Sequence, residues 1–189
     1  MKTAIILSGM PSKEDYYNPE KPAQSNKHWI PWIQRQLIIN DILAQAIELP
    51  EPYSPVYEKW ASVFEQFKID QETILIGHSC GAGFLIRWLS ENKVKVSKVA
   101  LIAPWLNPKK RLKTNFFNFK IDKDLTDRIE SLSIFYSTDD RADTLESVSI
   151  LKSSLKKIRL KEFTNKRHFT LSSMKTEEFP ELKDELLRK

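Results

Sequence analysis

Ser79 stands between two glycines in the run Gly77-His78-Ser79-Cys80-Gly81, and a serine placed in this way can be an activated nucleophile. The run closes a strand-like apolar stretch, Ile74-Leu75-Ile76, and opens a helix-like one from Ala82 to Glu91. Glycine two residues to either side of a serine suits a strained strand-to-helix turn, where neighbouring backbone comes too close for a Cβ. Three of the chain's four glycines, Gly77, Gly81 and Gly83, are used here, and the fourth, Gly9, follows the apolar run Thr3–Ser8.

A hydroxyl is a weak nucleophile, so Ser79 needs a base within hydrogen-bond reach and a third group to orient that base. On a turn of this kind the partners follow in chain order, the acid first and the histidine after it. Of the three histidines, His28 precedes the serine, and His78 lies inside the turn and would point elsewhere. His168 remains, in a loop between the last strand-like run and the last helix-like one. The acid comes from Ile134-Phe135-Tyr136-Ser137-Thr138-Asp139-Asp140, an apolar run ending in two carboxylates. Either aspartate could hold the imidazole, and the other would serve a turn or cap the next helix. The chemistry is acyl transfer, which also needs N–H donors aimed at the developing oxyanion. One is the N–H of Cys80; the other belongs to the loop after the first strand, where either Gly9 or Met10 could supply it and Met10 is the candidate named. The Cys80 side chain reads as a small apolar filler, and no metal or organic cofactor is required.

These groups must be held by elements that place a loop from each strand at one end of a sheet. Strand-like runs at 3–8, 43–48, 72–77, 97–103, 132–137 and 158–163 alternate with helical patterns at 29–40, 55–67, 82–91, 143–156 and 176–187. Several runs, such as Val99-Ala100-Leu101-Ile102-Ala103, are apolar on both faces, as buried parallel strands are. The expected architecture is three-layer α/β: a mostly or wholly parallel sheet of about six strands with helices on both faces. Residues 1–189 form one domain; Met10–Lys27 reads as a loop. Residues 104–128, with Phe116, Phe117 and Phe119, either complete the core or form a short flap over the site.

Composition narrows the alternatives. No apolar run approaches the roughly 20 residues of a membrane-spanning helix, and Met1–Gly9 is followed by no cleavage pattern of a signal peptide. A single cysteine excludes an internal disulfide and any multi-cysteine metal site, and the simplest location is the cytoplasm. The net charge of +5 comes from 30 basic residues set against 25 acidic ones. Basic residues gather at 109–113 and 152–161, but no nucleic-acid-binding module is recognisable, so they read as solvated surface.

Gly77-His78-Ser79-Cys80-Gly81, Ser137-Thr138-Asp139-Asp140 and His168-Phe169, with His28-Trp29 and Trp32 opening the first helix, resemble the small serine hydrolases related to retinoblastoma-binding protein 9, the bacterial YdeN-type proteins among them. The resemblance covers almost the whole chain. It implies a minimal α/β-hydrolase fold, carboxylesterase-like activity on a small acyl ester, and Asp140 as the triad acid beside Ser79 and His168. The sequence departs from that family after the first strand, where Ser8-Gly9-Met10-Pro11 and a longer polar loop stand in place of a glycine-rich turn. It departs again after Asp140, where Arg141-Ala142-Asp143 follows and the family often has a proline soon after the aspartate, and at Arg167, where glycine frequently precedes the histidine. The expectation is a monomer or homodimer hydrolysing small or medium acyl esters, with no nucleic-acid or membrane partner. The alternative is a weak or inactive hydrolase-fold protein that acts by binding other proteins.

Overall fold

The computed structural model describes residues 1–188. Six strands, β1 (Thr3–Leu7), β2 (Leu43–Ile47), β3 (Thr73–His78), β4 (Val96–Ile102), β5 (Ile129–Ser137) and β6 (Ile158–Phe163), form one sheet in the order β2-β1-β3-β4-β5-β6. Every pairing is parallel. Among the described residues seven α-helices accompany them: α1 (Lys13–Tyr17), α2 (Ile30–Ile38), α3 (Tyr57–Phe64), α4 (Cys80–Asn92), α5 (Ala142–Ser154), α6 (Leu171–Met174) and α7 (Pro180–Leu187).

Period-2 alternation along the strands divides the core into two layers. Ile5, Leu7, Leu75, Val99, Leu101, Leu132 and Ile134 pack with α3, α4 and α5 on one face of the sheet. Ala4, Ile6, Ile74, Ile76, Ala100, Ile102 and Phe135 pack with α2, α6 and α7 on the other. Both faces of the central strands are thus covered, which explains why those strands read as unbroken apolar runs. No described helix is long and apolar enough to cross a membrane.

Three expectations need correction. The segment Met10–Lys27 is not all loop: Ser12 accepts a hydrogen bond from the Asp15 N–H at 3.0 Å and caps α1, and a 3₁₀ turn spans Gln24–Asn26. The C-terminal helix begins at Pro180 rather than 176, because proline favours the first helical position and disfavours helix in the residue before it. Finally, Arg159 and Lys161 are not merely solvated. Both pair with the buried Glu185 of α7, at 3.2 and 2.9 Å, and so fasten that helix to β6. Residues 104–128 complete the core through Phe116, which is fully buried with its ring 4.9 Å from that of Trp60.

Strand order reverses at β1, with β2 on one side of it and β3 on the other. Loops leaving the carboxyl ends of β1 and β3 therefore diverge and leave a crevice, the usual ligand position in an open parallel sheet.

Candidate active site

Ser79 lies at that crevice, between the end of β3 and the start of α4. Its backbone is left-handed, with φ 52° and ψ −115°, a conformation that costs energy for any residue with a Cβ. The surrounding structure holds it there. The Ser79 N–H donates to the Ile102 carbonyl at 2.9 Å, and the Ser79 carbonyl accepts from the N–H groups of Gly83 and Trp105 at 3.2 and 3.1 Å. The flanking glycines allow the close approach this turn needs. A Cβ on Gly77 would lie 2.6 Å from the Ala82 Cα, and one on Gly81 would lie 2.5 Å from the Ser8 carbonyl oxygen. Both glycines keep negative φ, so it is space and not dihedral freedom that selects them.

The imidazole of His168 joins the serine to the acid. Ser79 Oγ is 2.8 Å from His168 Nε2, while His168 Nδ1 is 2.9 and 3.1 Å from the two carboxylate oxygens of Asp140. The Asp140 carboxylate is fully buried and also accepts from the Arg141 N–H at 2.6 Å. Asp139 is turned away: its Oδ1 accepts from Ser137 Oγ at 2.5 Å and from the Arg167 N–H at 3.0 Å, so it braces the histidine loop. Of the two aspartates, Asp140 is therefore the one within reach of His168.

The histidine loop is braced at three further points. Asn165, Arg167 and Phe169 all have positive φ, and the fully buried Phe169 plugs the core against Phe163 and Phe179. Arg167 has a φ of 43°, a backbone shape that glycine adopts without strain. His78, expected to point elsewhere, instead bonds its Nε2 to the His168 carbonyl at 2.8 Å. Burial first, and then the neighbouring imidazoles, push His78 well below its usual pKa. It is therefore neutral at ordinary pH, and Nε2 must carry the proton in order to donate to a carbonyl. His28, which chain order excluded as a base, accepts the Leu171 N–H on Nδ1 at 3.1 Å. Burial, then Lys27 and His168, lower its pKa to about 4. No sequence signal pointed to either contact, since both depend on which loops the sheet brings together.

A cavity of about 250 Å³ opens over Ser79 and is lined by Gly9, Met10, His28, His78 and His168 among others. Cys80 is the first residue of α4, where N–H groups have no partner within the helix. Its side chain is fully buried, and burial pushes the thiol far above its ordinary pKa, leaving it no role as a thiolate nucleophile. A larger cavity of about 850 Å³ lies on the far side of His168 and Arg141. The guanidinium of Arg141 reaches back to His168, with Nη2 3.3 Å from Nε2.

The profile of a family described as serine hydrolase matches residues 21–185. YdeN of Bacillus subtilis (strain 168), described as a hydrolase, is 28% identical over 75 residues, a stretch covering 39% of this chain and 40% of that protein. The crystal structure of the B. subtilis ydeN product superposes with a TM-score of 0.81 and 19% identity, covering 98% of this chain and 97% of that one. A YdeN-like hydrolase from Pectobacterium atrosepticum gives 0.61 at 21% identity, covering 96% and 88% of the two chains. Est1E from Butyrivibrio proteoclasticus, solved with ferulic acid bound, gives 0.62 at 13% identity over 97% and 89%. At these identities the structural likenesses speak for a shared α/β-hydrolase fold.

Proposed function

This chain belongs to the serine hydrolase family, and we propose that it is a carboxylesterase-like enzyme that cleaves small or medium acyl esters through an acyl-enzyme. The observation that carries this reading is the continuous hydrogen-bonded line from Ser79 Oγ through His168 to Asp140, with distances of 2.8 and 2.9 Å. His168 takes the serine proton on Nε2 as Oγ attacks the ester carbonyl, while Asp140 holds the Nδ1–H and orients the ring. The N–H groups of Cys80 and Met10 receive the developing oxyanion, each worth roughly 3 kcal/mol in well-placed cases. His168 then protonates the leaving alcohol, and water activated by the same imidazole releases the acid. Est1E, which shares the fold, binds ferulic acid, a carboxylic acid, and that is in keeping with an acyl ester as the substrate here.

Fluorophosphonate labelling tests the reading without requiring the natural substrate. Wild-type protein is expected to label at one site, with Ser79→Ala and His168→Ala silent, and 4-nitrophenyl acetate to be turned over by wild type alone. Labelling retained in Ser79→Ala, or no labelling of folded wild type, would refute it.

A further inference from the structure

We infer that the cavity beyond His168 holds a leaving group bearing a carboxylate, and that Arg141 both recognises this group and is drawn off the catalytic base by it. The inference rests on the serine-hydrolase reading, because the histidine that protonates the leaving oxygen fixes the side on which the leaving group must lie. The reacting bond lies in the smaller cavity over Ser79, and His168 and Thr170 line both cavities, so a leaving group that extends past the imidazole enters the one of about 850 Å³, lined also by Arg141, Arg167, Ser172 and Lys175.

The charges there favour an anion. Asp139 and Asp140 also line the cavity, but Asp140 is taken up by His168 and the Arg141 N–H, and Asp139 Oδ1 by Ser137 and the Arg167 N–H, against the three cations Arg141, Arg167 and Lys175. Arg167 and Lys175 form no ion pair among the described residues. The side-chain pairing of Arg141 is loose. Its Nε lies 3.8 Å from Asp143 Oδ1, and Asp143 is shared with Arg111 at 3.5 Å and with the Trp105 indole N–H at 3.1 Å. The Arg141 side chain is 57% exposed, so it is free to swing.

The contact with His168 gives the cation a second consequence. Neutral Nε2 offers a single lone pair, and here it faces two donors, Ser79 Oγ at 2.8 Å and Arg141 Nη2 at 3.3 Å. Once Nε2 takes the serine proton it becomes a donor itself, and the guanidinium must have left. A carboxylate in the adjoining cavity offers Arg141 a bidentate partner at just that stage, so the proper substrate clears the base as it binds.

The test compares 3-acetoxybenzoate with neutral 3-acetoxybenzamide, each kcat/KM divided by that ester's own hydroxide rate. Wild type is expected to favour the carboxylate roughly tenfold or more, with a preference that shrinks as salt is added. Arg141→Ala should lose activity on the carboxylate ester and gain on the amide-bearing one, bringing the ratio near one, while Arg141→Lys keeps part of the preference. Equal wild-type rates, or an unchanged ratio in Arg141→Ala, would overturn the inference while leaving esterase activity standing. Preference for 4-nitrophenyl hemisuccinate over the butyrate, with none between the 3-hydroxybenzoate and 3-hydroxybenzamide leaving groups, would move the carboxylate to the acyl side and also overturn it. If neither acetoxy ester is turned over and fluorophosphonate fails to label Ser79, the hydrolase reading falls, and this inference with it.

Discussion

Replacing each of the two neighbouring aspartates by asparagine should give opposite results, and the geometry sets both magnitudes. In Asp140→Asn the new side chain must choose an orientation. The Arg141 N–H, 2.6 Å from Oδ1 in the parent, demands that an acceptor remain there. That leaves the amide nitrogen facing His168 Nδ1, where the carboxylate oxygen sat at 2.9 Å. An amide donates, so Nδ1 must give up its proton and the ring moves to the Nε2–H tautomer. Nε2 then presents a proton to Ser79 and has no lone pair to accept one. A wrong-tautomer histidine costs about 10⁴ in kcat, or roughly 5 kcal/mol of barrier. Asp139→Asn keeps Oδ1 as the acceptor for Ser137 and the Arg167 N–H and loses only the charge assistance. It should cost about 1 kcal/mol of stability and less than tenfold in kcat. Initial rates with 4-nitrophenyl acetate and urea unfolding of both variants decide the matter. More than a tenth of wild-type kcat in Asp140→Asn, or an equal collapse in Asp139→Asn, would refute the tautomer argument.

Substitutions at three other positions probe the supports of the site and of the sheet. His78→Phe removes the donor to the His168 carbonyl and should lower kcat roughly 10²-fold through misplacement of the ring, whereas His78→Gln, whose amide can reach the same carbonyl, should recover most of it. Arg167→Gly relieves a left-handed residue and should raise the urea midpoint, by about 0.5–1 kcal/mol after the entropy gained by the unfolded chain. Glu185 is a case of opposed effects: burial works to raise its carboxyl, but hydrogen bonds from Lys161, Ser133 and Arg159 prevail and hold it down to about 2. Because its folded pKa is depressed, the stability it supplies is complete above about 4.5, its ordinary value, and is lost as pH falls toward 2. Glu185→Gln should therefore be roughly 2 kcal/mol less stable at neutral pH and show a flatter acid-unfolding curve between those limits; parallel curves for the two proteins would contradict this.

What the amino-acid pattern revealed depended on whether each feature leaves a periodic or positional trace. Buried parallel strands do, since residues such as Ile74-Leu75-Ile76 meet a helix layer on either face and must be apolar throughout. The Ser79 turn does as well, because Gly77 and Gly81 are forced by close backbone contacts. Helix α1 leaves none: it is five residues long and buries no side chain, so no apolar stripe distinguishes it from loop. Asp139 and Asp140 are adjacent on one turn, and only the direction of each side chain separates a brace of the loop from a partner of the imidazole.

The two arginines next to the acid and the base bear on the chemistry together. Arg141 and Arg167 flank the acid and the base in sequence, and both side chains line the same cavity beside His168. The Arg141 N–H serves Asp140, and glycine at 167 would remove the strain of a φ of 43°. This chain accepts the strain at 167 and at 141 gains both a backbone donor to its acid and a cation beside its base. Arginine at either position alone could be incidental surface charge. Two of them, lining with Lys175 the cavity that adjoins His168, make charge selection there the physical consequence to measure.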